Sequence, residues 1–312
     1  MPGTRVTVMG SYITDLAFRT AQLPRWGQTI LGSDFLMGPG GKGSNQAVAA
    51  ARLGGRVAFI SKLGRDAFAD LARRTWTAEG IDARFVFETA EAPTGAASIV
   101  VSEETGDNAI VVVPGSGLKL TTAEVDEARV AIAGAEIFLT QLESPVEVVH
   151  HALRLAKSSG VTTILNPAPG LPLPDDVYPL CDYLTPNESE AATLIGHPVA
   201  RLDGAERAAD ALLARGVRNV VVTLGAEGAL VKNASVTHHV PAVDAGPVVE
   251  TTGAGDAFNG GLAIGLAEGL DLVAATRFGC AVAGISVTRP GTAPSMPTRA
   301  EVDALLRRTA QA

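Results

Sequence analysis

The sequence predicts an α/β fold, a three-layer and mostly parallel sheet with helices on both faces, plus a small β-sheet lid. Three observations carry this. From about residue 57 onward, apolar runs of strand length alternate with stretches of helical spacing, a pattern that demands parallel strands joined by crossover helices. The strands end on polar residues (Asp15, Glu143, Asn166, Asn187 with Glu190, and Thr223), at the edge where open α/β sheets bind ligands. Hydrophobic residues make up 46% of the 312-residue chain but aromatics only 4%, so Ala, Val, Leu and Gly must pack helices closely on the sheet.

Residues 5–9 alternate as a strand that ends at Gly10 and Ser11, with Asp15 just beyond. The stretch 16–37 is broken by Pro24 and Gly27 into strand-like pieces at 17–19, 30–31 and 34–36. It lacks the helix expected after a first parallel strand and predicts a small antiparallel excursion. A second excursion pairs 97–101 with 109–113 around a turn at Glu104, Thr105, Gly106 and Asp107, a hairpin signal. Together, about 11–37 and 93–114 are predicted to form a lid over the ligand edge.

Between them, residues 38–45 form a glycine loop that leads into an Ala-rich helix over 46–53. A Walker A loop requires Ser or Thr after its Lys and Gly six residues before it, and Gly43 and Leu36 occupy those positions. The glycines fit G-x-G-x-x-G, but a dinucleotide fold wants an acid after the next strand, where Lys62 stands. What remains is a helix N-terminus with Lys42 and Asn45 on a loop free of bulky side chains, suited to closing around a small polyol.

Strand and helix then alternate: a strand over 57–61, helices over 67–79 and 122–133, and a strand over 137–142. Next come a helix over 145–158, strands over 162–166 and 183–185, a helix after Glu190, and a strand over 219–224 running into the turn 225–228. Helices from 260, from 276 and over 301–309 close the chain. No repeat or linker divides it, so 1–312 are predicted to be a single domain.

The net charge of −8 argues against a nucleic-acid or anionic-membrane surface, which needs clustered positive charge. No run reaches the ~18 apolar residues of a membrane span, and no basic-then-apolar leader opens the chain. Cys181 and Cys280 are far apart and lack metal-ligand spacing, as expected of reduced core thiols in a cytoplasmic protein. The five His residues form no zinc pattern, and His238 with His239 reads as a solvated strand end.

The stretch 250–258 carries the chemistry. Gly253, Ala254 and Gly255 precede Asp256, and the apolar run 257–267 has helical spacing at Phe258, Leu262 and Leu266. That layout puts a glycine turn at a helix N-terminus, where free N–H groups and the positive dipole end suit a phosphate. Asp256 in the first turn would repel that phosphate unless metal ions intervene. It reads as a base aligning a hydroxyl against a phosphoryl group. The plain alternative is a capped helix after a turn.

The assembled motifs resemble the ribokinase-like (PfkB) sugar kinases over essentially the whole chain. They are Gly10-Ser11 with Asp15, the run 40–50 through Gly41, Lys42, Gly43 and Asn45, Gln141 to Pro145, Leu165 to Pro169, Thr185 to Glu188, Val222 to Gly225, and Thr251 to Phe258. The resemblance implies that Asp256 is the catalytic base and that Gly253, Ala254 and Gly255 stabilise the transferring phosphoryl group. It places Ile13, Asp15, Gly41, Lys42, Gly43, Asn45, Glu143 and Asp256 on the sugar. Asn187, Thr223, Leu224, Gly225, Ala226, Glu227, Gly228, Gly255 and Cys280 fall on ATP-binding positions. Asn187 and Glu190 match a pair that orients Mg²⁺ through water. Glu250, Thr252, Ser286, Arg289, Gly291 and Ser295 match a loop for an activating K⁺. Two residues depart from the family's pattern: Glu250 stands where Asp is usual, and Ile13 where ribokinases typically carry Asn.

The activity implied is ATP-dependent phosphorylation of the primary hydroxyl of D-ribose. The alternatives within the family are a 2-deoxyribose kinase and a nucleoside kinase. A non-catalytic sugar-binding regulator on the same fold is the alternative of another class. The lid's exposed strand faces suggest a homodimer.

Overall fold

The structure is a computed structural model that describes residues 3–104 and 108–309. The chain opens with β1 (Arg5–Met9), β2 (Ile13–Thr20), β3 (Asp34–Gly40), α1 (Lys42–Arg52), β4 (Arg56–Leu63), α2 (Ala67–Ala78) and β5 (Asp82–Glu88). It continues with β6 (Thr94–Ser102), β7 (Asn108–Gly115), α3 (Thr122–Glu127), α4 (Arg129–Ala133), β8 (Ile137–Thr140), α5 (Val146–Ser158), β9 (Thr162–Leu165) and β10 (Tyr183–Leu184). The last part comprises α6 (Glu188–Ile195), α7 (Arg201–Ala214), β11 (Asn219–Thr223), β12 (Ala229–Lys232), β13 (Thr237–Val240), α8 (Ala254–Ala267), α9 (Leu272–Ser286) and α10 (Arg299–Thr309).

Nine strands form the main sheet in the order β13-β12-β11-β10-β9-β8-β1-β4-β5. It is parallel from β5 to β11, and β12 and β13 close one edge in antiparallel pairing. Its strands are apolar on both faces. Val6, Val8, Phe59 and Val221 enter one core with α1, α2, α8 and α9, while Ile60, Phe138, Val220 and Val222 enter the opposite core with α5 and α7. That period of two is what a sheet covered by helices on both sides requires.

The lid is a separate four-stranded sheet, β3-β2-β6-β7. Each excursion is an antiparallel pair, and the two join through parallel pairing of β2 with β6. The expected strand piece at Ile30 and Leu31 lies instead in the exposed loop between β2 and β3, because β2 runs unbroken to Thr20 and Ser33 N–H closes back on Arg19 O. Of the expected β6–β7 turn, Thr105, Gly106 and Asp107 lie outside the described residues.

Other boundaries shift for local reasons. Helix α1 begins at Lys42, four residues before the predicted start, so Lys42 to Asn45 are its first turn rather than a loop. The Glu143 carboxylate accepts the Lys42 N–H and caps that turn from a distant segment. The predicted helix over 122–133 is two, α3 with a Thr121–Glu124 capping box and then α4, meeting at Ala128. Helix α8 starts at Ala254 and α9 at Leu272, with Asp271 capping α9 through its carboxylate. Strand β5, helix α7 and strand β12 were not anticipated.

Candidate active site

The carboxyl ends of β1, β8, β9, β10 and β11 and the N-termini of α1 and α8 meet at one edge of the sheet, beneath the lid. At the head of α8, Gly253 has φ +82°, a left-handed conformation that favours glycine at this turn. A Cβ on Gly255 would meet nothing within 4 Å, so the first turn of the helix faces open space. Asp256 follows, only 6% exposed. Its Oδ2 accepts from Asn45 Nδ2 at 2.9 Å and its Oδ1 from Gln46 Nε2 at 2.9 Å. Burial pushes this carboxyl above its ordinary range, while Lys42, Asn45 and Gln46 draw it back. A buried base with a raised pKa and a fixed orientation suits taking a proton from an alcohol near neutral pH.

The residues expected at the sugar converge on it. Burial alone would lower the Lys42 pKa, but Asp256, Glu143 and Glu190 together hold it above the usual value. Glu143 accepts from the Ser11 hydroxyl and from Lys42 N at 3.0 Å, and burial raises its pKa. Asp15 is raised to about 6 by burial, opposed by a 2.8 Å hydrogen bond from Thr292 Oγ1 and reinforced by Asp256, Glu250 and Glu143. Gly41 is the N-cap of α1, and the backbone of Gly43 lies against Gly10 and Ser11. Asn45 Oδ1 is buried and has no protein partner among the described residues, an acceptor suited to a ligand hydroxyl. Ile13 is buried in a small cluster with Ala97 and Ile99, apart from the two main cores. As position i to Asp15 at i+2 on β2, it lies on the same face of the lid as that carboxylate.

The residues expected at the nucleotide lie around the end of β11. Asn187 bridges to Thr223 in parallel, and residues 225–227 make one turn of 3₁₀ helix whose Gly228 carbonyl accepts from Leu224 N. Gly225 and Gly228 both have positive φ, and Ala226 and Glu227 are exposed between them. Cys280 is set differently: it is buried in the apolar core on α9, its thiol pushed up to about 12 by burial.

The positions expected to hold ions also assemble. Asn187 and Glu190 form a reciprocal capping box at the start of α6, with Asn187 Oδ1 accepting Glu190 N and Glu190 Oε2 accepting Asn187 N. Burial raises the Glu190 pKa, and both Lys42 and Asp256 act on it, which puts its carboxylate at the same site. Among the described residues, no cluster of three or more His, Cys, Asp or Glu side chains could ligate an ion directly. A divalent ion here fits as a hydrated one shared with nucleotide phosphates. In the other loop, Glu250 Oε2 accepts Gly291 N at 2.8 Å, Ser286 O accepts Arg289 N, and Ser295 Oγ donates to Thr292 O. Arg289 turns its guanidinium to Glu301, leaving its backbone to the loop. Thr252 lies between Glu250 and the Gly253 cap.

Two contributors were not foreseen. Thr292 ties the lid to the body of the protein, its hydroxyl donating to Asp15 Oδ2 on β2 and also lying 3.0 Å from Pro39 O on β3, and it packs beside Gly253. Gln46 stood in a quoted motif without a role.

The chain is similar to known proteins over nearly its whole length. The sequence profile described as "pfkB family carbohydrate kinase" matches residues 3–299. The ribokinase of Haemophilus influenzae is 38% identical over 296 residues, covering 95% of this chain and 96% of its own. A Salmonella typhi deoxyribokinase is 37% identical over 294 residues, covering 94% of this chain and 95% of its own. The structure of Arabidopsis thaliana ribokinase complexed with ribose and ATP superposes with a TM-score of 0.90 at 30% identity, covering 98% of this chain and 99% of that one. The chain belongs to the pfkB family of carbohydrate kinases.

Proposed function

We propose that this protein transfers the γ-phosphoryl group of ATP to the primary hydroxyl of D-ribose, giving ribose 5-phosphate and ADP. The observation that carries the reading is the buried Asp256 carboxylate, held by Asn45 and Gln46 beside the open first turn of α8. Asp15, Lys42, Asn45 and Glu143 hold the sugar so that its primary hydroxyl meets Asp256. The carboxylate takes the hydroxyl proton as that oxygen bonds to the γ-phosphorus and the bond to the β–γ bridging oxygen breaks. The N–H groups of Gly253 and Gly255 stabilise the charge on the phosphoryl oxygens, whereas the Ala254 N–H, expected to join them, already donates to Thr251 O at 3.2 Å and so closes the turn. Asn187, Leu224 and the turn 225–228 hold the nucleotide. Mg²⁺, held through water by Asn187 and Glu190, would neutralise phosphate charge, and K⁺ in the loop of Glu250, Thr252, Ser286, Arg289, Gly291 and Ser295 would fix the turn. The two ribokinases named above support ribose as the sugar, and the deoxyribokinase at nearly the same identity supports 2-deoxyribose as the alternative.

One observation favours a second substrate. Ile13 occupies the Asp15 face of β2 and offers carbon where a hydroxyl partner would stand, which suits 2-deoxyribose. The outer lid face carries Phe18 against Phe35, with Met37, Val111 and Val113 exposed beside them. Such a patch supports a homodimer through the lid, in a cytoplasmic enzyme. Among the described residues no helix is long and apolar enough to cross a membrane. ADP release across pentoses, hexoses and nucleosides tests the function: turnover confined to pentoses supports it, and a preference for nucleosides overturns the sugar assignment.

A further inference from the structure

Asp256 is the end of a directed chain of buried amides. Gln46 Nε2 donates both to Asp256 Oδ1 and to Asn166 Oδ1 at 3.1 Å, while Gln46 Oε1 accepts from Gln141 Nε2 at 2.6 Å. Both glutamines are fully buried and come from separate segments, Gln46 from α1 and Gln141 from just after β8. The direction of the chain follows from its end. An ionised carboxylate can only accept, so Gln46 must present its NH₂ there, which turns Gln46 Oε1 toward Gln141 and obliges Gln141 to donate in turn. A Cβ on Gly10 would collide with Gln141 Oε1, so the end of β1 leaves just the space this amide needs. That oxygen has no protein partner among the described residues, so the polar groups of Gln141 are committed to Gln46 alone.

We propose that Gln141 is a positioning residue for the base. Through Gln46 it occupies Asp256 Oδ1 and fixes the plane of the carboxylate, leaving Oδ2, the oxygen shared with the sugar-side Asn45, to receive the hydroxyl proton. The proposal rests on the kinase reading above. A hydrogen bond to a charged group is worth about 10–100-fold in an equilibrium or a rate. Since Gln141 acts one amide removed, the lower end is expected.

The test is steady-state kinetics of Gln141→Met and Gln141→Glu beside the wild type. Met keeps the length of the side chain and removes the donor, so kcat should fall about tenfold while the sugar KM stays within about threefold. Glu regains an O–H donor when protonated but forces Gln46 to turn around when ionised. Its kcat relative to wild type should therefore fall as pH rises over a range in which circular dichroism shows it folded and the sugar KM holds, a combination that loss of packing does not produce. Lys42, Glu143, Glu190 and Asp15, the charged groups that act on Asp256 from α1, the β8 end, α6 and β2, are the same in all three proteins. Wild-type turnover with kcat of Gln141→Met within twofold overturns the relay alone. If Gln141→Met does not fold, the pH-dependent ratio of Gln141→Glu decides, and a flat ratio overturns the relay. A wild type without turnover on any sugar overturns both the relay and the function.

Discussion

Replacing Asp256 with Asn removes the base and leaves the side-chain volume almost unchanged. Both Asp256 oxygens accept from buried amides, Asn45 Nδ2 and Gln46 Nε2, each at 2.9 Å. An Asn amide can accept from only one of them, and its own NH₂ then opposes the other. One buried donor left unsatisfied costs about 1–3 kcal/mol. Against that, the substitution removes a buried charge whose pKa is already raised by desolvation. The two effects oppose each other, so the variant should fold. The catalytic loss is larger: a positioned base contributes about 10²–10⁴ in rate, or roughly 2.7–5.4 kcal/mol of barrier. The turn at 253–255 and the side chains proposed to hold the sugar, Asp15, Lys42 and Glu143, are untouched. Expected results are a kcat fall in that range and, by calorimetric titration, sugar and ATP affinities within a few-fold of wild type. A folded variant that binds both ligands and keeps more than about a tenth of wild-type kcat would refute the assignment.

Three further outcomes follow from the same site. Ile13→Asn places a hydrogen-bonding group on the Asp15 face and should move kcat/KM from 2-deoxyribose toward ribose; a wild-type ribose preference above about 10³-fold that the substitution leaves unchanged contradicts the role of Ile13. Exchanging Na⁺ for K⁺ at constant Mg²⁺ should raise kcat, and equal rates in both salts would mean that Glu250, already bonded to Gly291 N, does the work of the ion. Asp15 has a pKa raised to about 6, so it is ionised and able to accept a sugar hydroxyl above that pH and loses this ability below it. The kcat/KM for sugar should accordingly fall as pH drops through about 6, and Thr292→Val, which removes a donor to the carboxylate, should move that limb upward. An unmoved limb would separate Asp15 from sugar binding.

The heart of the site was legible because its parts are contiguous in the chain. Gly253 to Asp256 announce a helix N-terminus beside a carboxylate within four residues, and the structure forms that helix from Ala254. Most strand ends were legible for the same reason, since Glu143, Asn166 and Thr223 close or closely follow apolar runs, but Asp15, expected at the end of the first strand, lies within lid strand β2 and reaches the site from above. Contacts between distant segments were not. Thr292 meets Asp15 across 277 positions, and nothing local to either residue marks the pairing. Glycine spacing argued for a loop at 38–45, yet α1 starts at Lys42 because the Glu143 carboxylate caps it and Ser44 N donates to Ser11 O. Tertiary partners there overrode local propensity. Strand β5 could have been read from Phe85, Val86 and Phe87, but its charged flanks (Asp82, Arg84 and Glu88) mask the run. Strand β12 has only four residues between two turns, too few for periodicity to register.

The most direct measurement is the reaction of the purified protein with ATP, Mg²⁺ and D-ribose, with the product identified by phosphorus NMR. The account predicts stoichiometric ADP and a phosphomonoester on C5, with Asp256→Asn producing neither at a comparable rate. A phosphate on another carbon, or no turnover with any pentose, would contradict it.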